Sequence, residues 1–417
     1  MKGRFTREMG GCCWKVQPNN ALLYIHLSKM NTYAFPLENN LVVFRPGITG
    51  LFILNETAGM IWKSYSDQLH PGEIAARIAE QFQLSKEDAR KDVEQTISYW
   101  VAHGLVDTGS EKTSFRENIP APSVIHPFSS HGLSIKSFFS QHTYSLFNKS
   151  FVIGFETLDL KNAIHPLLFQ FETVSNATTK VRIDIFSNEG AYFIARNGKI
   201  VGENAAMHET VGLVLKELFN ILHPEMEWMA VLHGAAVGSD GHGILFPGEG
   251  GNGKSTLVAA LSRSGFSYLN DDTVPLDAWT QHAAAVPLSI CLKEGSWTTL
   301  QSYYPEIDTL PVYERYGKRV RYLPSEGNSI IKGIHHLPIK IIVFPSYRKD
   351  GENSLEKISK TDALQRIVQS GVWVSPNPEH VGRFIGWIRS LSCYRLSYNL
   401  LAQGIQKIVE LTTNERI

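Results

Sequence analysis

The sequence predicts an α/β protein in two unequal parts, a small winged-helix-like α+β domain followed by a P-loop α/β domain. Three observations lead there. Three amphipathic helical stripes follow a pair of short β-prone runs; a glycine-rich phosphate-loop motif sits between an apolar run and a helical one; and a stretch rich in Ser, Pro and charge, without periodicity, lies between the two parts. A length of 417 residues suits two or three domains at about 150 residues each. The expected layout is an N-terminal extension over 1–32, a small domain over 33–107, a linker over 108–130 and a larger domain over 131–417, with its nucleotide-binding core from about 229.

Within the small domain, Leu41 to Phe44 and Leu51 to Leu54 are β-prone runs split by Pro46 and Gly47, as in a hairpin-like pair. The first helical stripe is Ala58, Ile61, Trp62 and Tyr65. Pro71 suits the first turn of the second helix, where its missing N–H costs nothing, and Ile74, Ala75, Ile78, Ala79 and Phe82 form its apolar face. The third opens on Ser85 with Asp88 three residues on, a capping pattern, then shows Ala89, Val93, Ile97, Trp100 and Val101 before Gly104.

The run Leu54-Asn55-Glu56-Thr57-Ala58-Gly59-Met60-Ile61-Trp62, the helix start Gly72-Glu73-Ile74, Asp92-Val93 and the closing His103-Gly104-Leu105-Val106 resemble PqqD, a peptide chaperone of peptide-derived natural-product pathways. The resemblance implies capture of a leader peptide as an added strand on the sheet edge. The residues themselves show only a core stripe.

In the larger part, Val181, Ile183 and Ile185 alternate with Arg182 and Asp184, and Asn197-Gly198 between two β-prone runs is a strong hairpin signal. A helix follows, with Val211, Leu215, Leu218, Phe219 and Leu222 on one face and Pro224 beyond its end. Asp362 to Val368 and Val381 to Leu391 read as two further helices.

The most specific chemistry is Gly248, Glu249, Gly250, Gly251, Asn252, Gly253, Lys254 and Ser255, a full match to G-x-x-x-x-G-K-[ST], continued by Thr256. Glycines let the backbone turn tightly and aim its N–H groups at phosphate oxygens. Lys254 then reaches the β- and γ-phosphates and Ser255 ligates Mg²⁺. The short strand Ser267-Tyr268-Leu269 ends in Asn270-Asp271-Asp272. If it runs parallel to the strand entering the loop, both carboxylates arrive at the phosphate site, one to hold Mg²⁺ and one to take a proton; Asp271 is the metal candidate, with the division between the two left open. A turn at Asp240-Gly241 pairs the flanking runs so that His233 falls opposite Gly248; a one-residue slip would turn it to the other face. Lys293, Arg321 and Arg348 are candidate phosphate or substrate contacts, Arg321 foremost because of its aromatic setting.

The order Val231-Leu232-His233-Gly234, then the loop, then Asp271-Asp272, resembles HPr kinase and the kinases related to it, including those near genes for ribosomally made peptides such as lasso peptides. The resemblance places His233, Asp271 and Asp272 around the γ-phosphate of ATP, with one aspartate as base towards a serine. Gly250 stands where that family usually has serine, and Asn270 where it has a small residue.

The expected function is therefore ATP- and Mg²⁺-dependent phosphorylation of a Ser or Thr hydroxyl on a peptide or protein, a leader-bearing precursor being one candidate, held by the small domain. Two alternatives stay open: a P-loop ATPase that drives peptide handover or carboxyl activation, and a nucleotide-stabilised peptide scaffold. Forty basic residues balance forty acidic ones, which argues against a general nucleic-acid or anionic-membrane partner. No apolar run approaches the roughly 18 residues of a membrane span. Four cysteines, unevenly placed, and a polar Met1 to Gly10 lead to the expectation of a reduced cytoplasmic protein, with self-association left open.

Overall fold

The structure, a computed structural model, describes residues 12–15, 24–27, 31–48, 50–107, 137–174, 181–325 and 335–415. The expected linker over 108–130 lies outside them. Two compact units emerge, the first drawn from Met1–Ser114, Trp228–Val231 and Lys357–Tyr394, the second from Phe115–Glu227, Leu232–Glu356 and Arg395–Ile417.

In the first unit, strands β1 (Cys12–Lys15), β2 (Tyr24–Leu27), β3 (Thr32–Leu37), β4 (Asn40–Phe44) and β5 (Phe52–Leu54) form a sheet in sequence order, every pair antiparallel. The expected hairpin is the β4–β5 pair, with Val42 opposite Ile53. Helices α1 (Glu56–Ser66), α2 (Pro71–Phe82) and α3 (Lys86–Ala102) follow, each with a side-chain cap. Asn55 caps α1; His70 and Glu73 make a reciprocal capping box on α2, whose first residue is Pro71; Ser85 Oγ accepts the Asp88 N–H on α3. The stripes converge on a core of Ile61, Trp62, Ile74, Ile78, Val93 and Trp100, in which the indoles of Trp62 and Trp100 meet edge to face with centroids 5.1 Å apart.

The helices Lys360–Ser370 and Pro378–Ser390 belong to this same unit, although they lie far along the chain. Glu38, in the β3–β4 turn, accepts hydrogen bonds from the N–H groups of Lys360 and Thr361 at 2.9 and 3.0 Å, and the Asn40 amide donates to Thr361 Oγ1 at 2.9 Å. A carboxylate at a helix N-terminus satisfies orphan donors and meets the positive end of the helix dipole.

The second unit holds the phosphate loop. Its central ladder runs Ser267–Asn270, Gly234–Ser239, His242–Pro247 and His336–Tyr347, then His282–Ala284 and Val274–Asp277. The Asp240-Gly241 turn has both residues at positive φ, +48° and +82°, and pairs Ser239 with His242 and Gly234 with Pro247, the register expected from sequence. The strand Ser267–Asn270 is antiparallel to Gly234–Ser239, which is itself antiparallel to the strand entering the loop. The strands before and after the loop therefore point the same way without being neighbours, because Gly234–Ser239 lies between them.

A further sheet of this unit orders Lys199–Asn204, Ala191–Arg196, Val181–Asn188, Lys149–Phe155 and Ser140–Leu146. The parallel pair Lys149–Phe155 and Val181–Asn188 is linked through the helix Leu158–Leu168, since parallel neighbours need a long crossover. Asn197 and Gly198, at φ +51° and +78°, make the expected hairpin turn. Asp184, assigned to the polar face by alternation, is buried instead, and Arg182 Nε lies 2.7 Å from it as an ion pair.

Trp100→Ala empties the centre of the first unit. It should cost about 3–5 kcal/mol, read as a lower urea midpoint for the N-terminal domain, with the loss of the Trp62 near-ultraviolet signal as a second readout.

Candidate functional site

The phosphate loop follows a buried strand, His242–Pro247, and opens the helix Lys254–Ser262, which buries Leu257, Val258, Ala259, Ala260 and Leu261. The helix starts at Gly253 with φ +86°, and a Cβ there would lie 2.5 Å from the Tyr398 hydroxyl, so two separate constraints require glycine. Gly250 differs: its φ is unremarkable, and a Cβ would meet the Lys293 ammonium at an ordinary 3.6 Å. This backbone would accept a serine at that position. The same distance places Lys293 over the loop.

Lys254 is buried and donates to the carbonyls of Gly248 and Glu249 at 2.5 and 2.9 Å. Burial lowers its proton affinity, and Asp271 and Asp272 partly offset this. Ser255 Oγ donates to Asp271 Oδ1 at 2.9 Å, tying the first turn of the helix to the aspartate pair. The other Asp271 oxygen accepts the N–H of Cys291 at 3.3 Å. Burial, and then the adjacent Asp272 charge, push the Asp271 carboxyl up to about 6, against these hydrogen bonds and the Lys254 charge.

Asp272 has φ +70°, an uncommon conformation for a residue with a Cβ, and this turns its side chain away from that of its neighbour. Its oxygens face His233 Nε2 at 3.7 Å and an Arg315 guanidinium nitrogen at 3.0 Å. Burial would raise its pKa, but Arg315 first and His233 next outweigh that and hold the carboxyl below its ordinary value. His233 is itself lowered, by burial and by Lys254, so its ring is neutral near pH 7.

His233, Lys254, Ser255, Asp271 and Asp272 thus come together, as their spacing suggested. Arg321 does not join them. Its guanidinium is bonded to Asp308 at 2.5 Å and stacks over Trp297 at 4.1 Å, an aromatic setting that holds it in place structurally. Arg348 sits in a turn closed by the Gly351 N–H. The arginine at the aspartates is Arg315, carried by the hairpin Tyr313–Arg315 and Lys318–Leu323, whose turn is Tyr316-Gly317 with φ +52° and +67°. A turn signal was legible there; its arrival beside Asp272 depends on the pairing of Lys318–Leu323 with Ile290–Lys293, which local pattern does not encode.

In the first unit, a groove of about 530 Å³ runs between edge strand β5 and helix α3, lined by Ile53, Leu54, Gln95, Thr96, Tyr99 and Trp100 among others. Tyr99 is an exposed aromatic on that helix.

Residues 40–106 match the family described as Coenzyme PQQ synthesis protein D (PqqD). The match spans β4 to the end of α3 and contains every lining residue of the groove except Gln365, which lies on the helix Lys360–Ser370. Among solved structures, the chain is similar to the Hpr(Ser) kinase/phosphatase from Coxiella burnetii at 13% identity and a TM-score of 0.22, over 44% of this chain and 98% of that one. No curated protein matches. Outside the PqqD-like domain, then, the functional reading rests on the residues of the site.

The raised Asp271 carboxyl sets a pH dependence. A metal ion taking Ser255 and Asp271 as ligands would compete with the Asp271 proton, so Mg²⁺ affinity in the absence of nucleotide should then be flat above the Asp271 value of about 6. Below it, affinity should fall by about tenfold per pH unit, and Asp271→Asn should remove the dependence, as measured by Mn²⁺ binding followed by electron paramagnetic resonance.

Proposed function

We propose that this protein is an ATP-dependent kinase that transfers the γ-phosphoryl group to a Ser or Thr hydroxyl of a peptide or protein captured by its PqqD-like domain. The observation that carries the proposal is the hydrogen bond from Ser255 Oγ to Asp271 at 2.9 Å. It joins a complete phosphate loop to an acidic pair that a mere glycine-rich turn has no use for.

The hydroxyl of Ser255 and the carboxylate of Asp271 are hard oxygen donors of the kind Mg²⁺ takes. Bound there, Mg²⁺ would neutralise charge on the β- and γ-phosphates. The loop N–H groups and Lys254 bind the phosphates, and Lys293, above Gly250, adds positive charge. The acceptor hydroxyl approaches Asp272, whose side chain is partly exposed. As its oxygen bonds to the γ-phosphorus and the bond to ADP breaks, its proton passes to the Asp272–His233 pair. Asp272 is a weak base because Arg315 stabilises its charge, which suits a loose transition state that needs orientation of the nucleophile more than proton abstraction. Arg315 acts as a positioning residue for that carboxylate.

The groove beside β5 supports peptide capture. An edge strand offers unpaired backbone groups, and an extended segment added there would lay alternate side chains against Ile53, Tyr99 and Trp100. Among the described residues no helix is long and apolar enough to cross a membrane, and Cys291 and Cys393 are free thiols, which fits a reducing cytoplasm.

Incubation with γ-labelled ATP, Mg²⁺ and peptides encoded beside the gene should place label on a hydroxyl. Asp272→Asn should lower kcat by about 10²–10⁴-fold, whereas Tyr99→Glu should raise KM for the peptide at least about tenfold with kcat little changed. Label released only as free phosphate with every peptide would replace the kinase reading with an ATPase.

A further inference from the structure

Away from the nucleotide site, three side chains with metal-ligating atoms converge on the sheet that begins the second unit. His142 lies on the strand Ser140–Leu146, His165 on the helix Leu158–Leu168, and Glu172 just after the turn Phe169–Phe171. One ligand atom from each lies within 4.8 Å of the others. His142 Nδ1 is 2.6 Å from Glu172 Oε1, and His165 Nε2 is 4.0 Å from Glu172 Oε2. The backbone holds this arrangement in place: the Thr173 N–H donates to the Thr143 carbonyl at 2.9 Å, and Glu172 bridges to Tyr144.

Two features go beyond a histidine–carboxylate pair. The Tyr144 hydroxyl sits 2.9 Å from His165 Nδ1, so that nitrogen has a partner inside the protein and Nε2 is the one turned towards Glu172. An outer hydrogen bond to the far nitrogen is what orients a metal-bound imidazole. Meanwhile His142 turns Nδ1 to the same carboxylate, so both imidazoles present a nitrogen to Glu172.

We propose that His142, His165 and Glu172 form a binding site for a divalent transition cation of the zinc class. Two imidazoles and one carboxylate are borderline donors that favour Zn²⁺ over Mg²⁺ or Ca²⁺, and three protein ligands leave a fourth position for water or another ligand. The ion would lock the end of the Leu158–Leu168 helix to its strand. Just there, the Leu167 carbonyl accepts the Ser289 N–H at 2.9 Å and the Gln170 amide donates to the Pro287 carbonyl and Ser325 Oγ. Those contacts lead directly into Ile290–Lys293, the strand whose Cys291 N–H holds Asp271. The ion is thus placed to brace the strand behind the aspartate pair.

The test is Zn²⁺ titration of the full chain after chelator treatment, in competition with a chromophoric chelator and with Mg²⁺ and ADP saturating the nucleotide site. One zinc per chain is expected. Glu172→Gln and His142→Gln should each weaken binding at least tenfold, while Asp271→Asn leaves it unchanged. X-ray absorption at the zinc edge should show imidazole scattering without sulfur. No zinc bound at micromolar concentration would overturn the proposal. So would equal affinity in Glu172→Gln and His142→Gln chains that melt like the parent, or zinc bound through sulfur.

Discussion

The hydrogen bond between Ser255 and Asp271 ties together two parts of the chain that have little else in common: the first turn of the loop helix and the end of the strand that follows it. Both of its groups are oxygen donors, and one is a carboxylate with a raised pKa. If Asp271 pointed elsewhere, Lys254 would lose the charge that most offsets its burial, and Asp272 would lose the neighbour from which its own environment separates it. Two adjacent carboxylates cannot share one surrounding at neutral pH without strain. Here they do not: Asp271 faces a hydroxyl and a backbone N–H, whereas Asp272, at φ +70°, faces an arginine and a histidine. That split is what the proposed roles of metal ligand for Asp271 and proton acceptor for Asp272 rest on.

The rest of the second unit serves to bring these groups together. A two-residue turn at Asp240-Gly241 fixes the register that pairs Gly234, the neighbour of His233, with Pro247 just before the loop. Glycine at 253 lets the helix begin where Tyr398 leaves no room for a side chain. In the first unit, three well-capped helices hold a tryptophan-centred core, and the groove opens beside its edge strand.

Much of this was legible in the sequence, and the legible parts share a property. The cap at Ser85, Pro71 at a helix start, the turns at Asp240-Gly241 and Asn197-Gly198, and the loop itself are set by residues a few positions apart, so local pattern contains them. What escaped was non-local. Arg321 looked functional from its aromatic neighbours, but Asp308 and Trp297 claim it. Arg315 reaches Asp272 only through a third strand. Asp184 breaks its strand's alternation because Arg182 neutralises it inside. The grouping of Lys360–Ser370 with the first unit hangs on Glu38, more than three hundred positions earlier. Likewise His142, His165 and Glu172 have no diagnostic spacing; the crossover of a parallel strand pair assembles them.

The most direct test of the central claim is whether the phosphate loop and the aspartate pair act as one metal-nucleotide site, measured by a double-mutant cycle on the dissociation constant of Mg²⁺·ATP with Ser255→Ala, Asp271→Asn and the double variant. If both groups serve the same ion, the double variant should bind little worse than the weaker single one, a coupling of roughly 1–3 kcal/mol. Strictly additive losses, within about 0.5 kcal/mol, would mean that Ser255 and Asp271 act separately, and the site as described here would not exist.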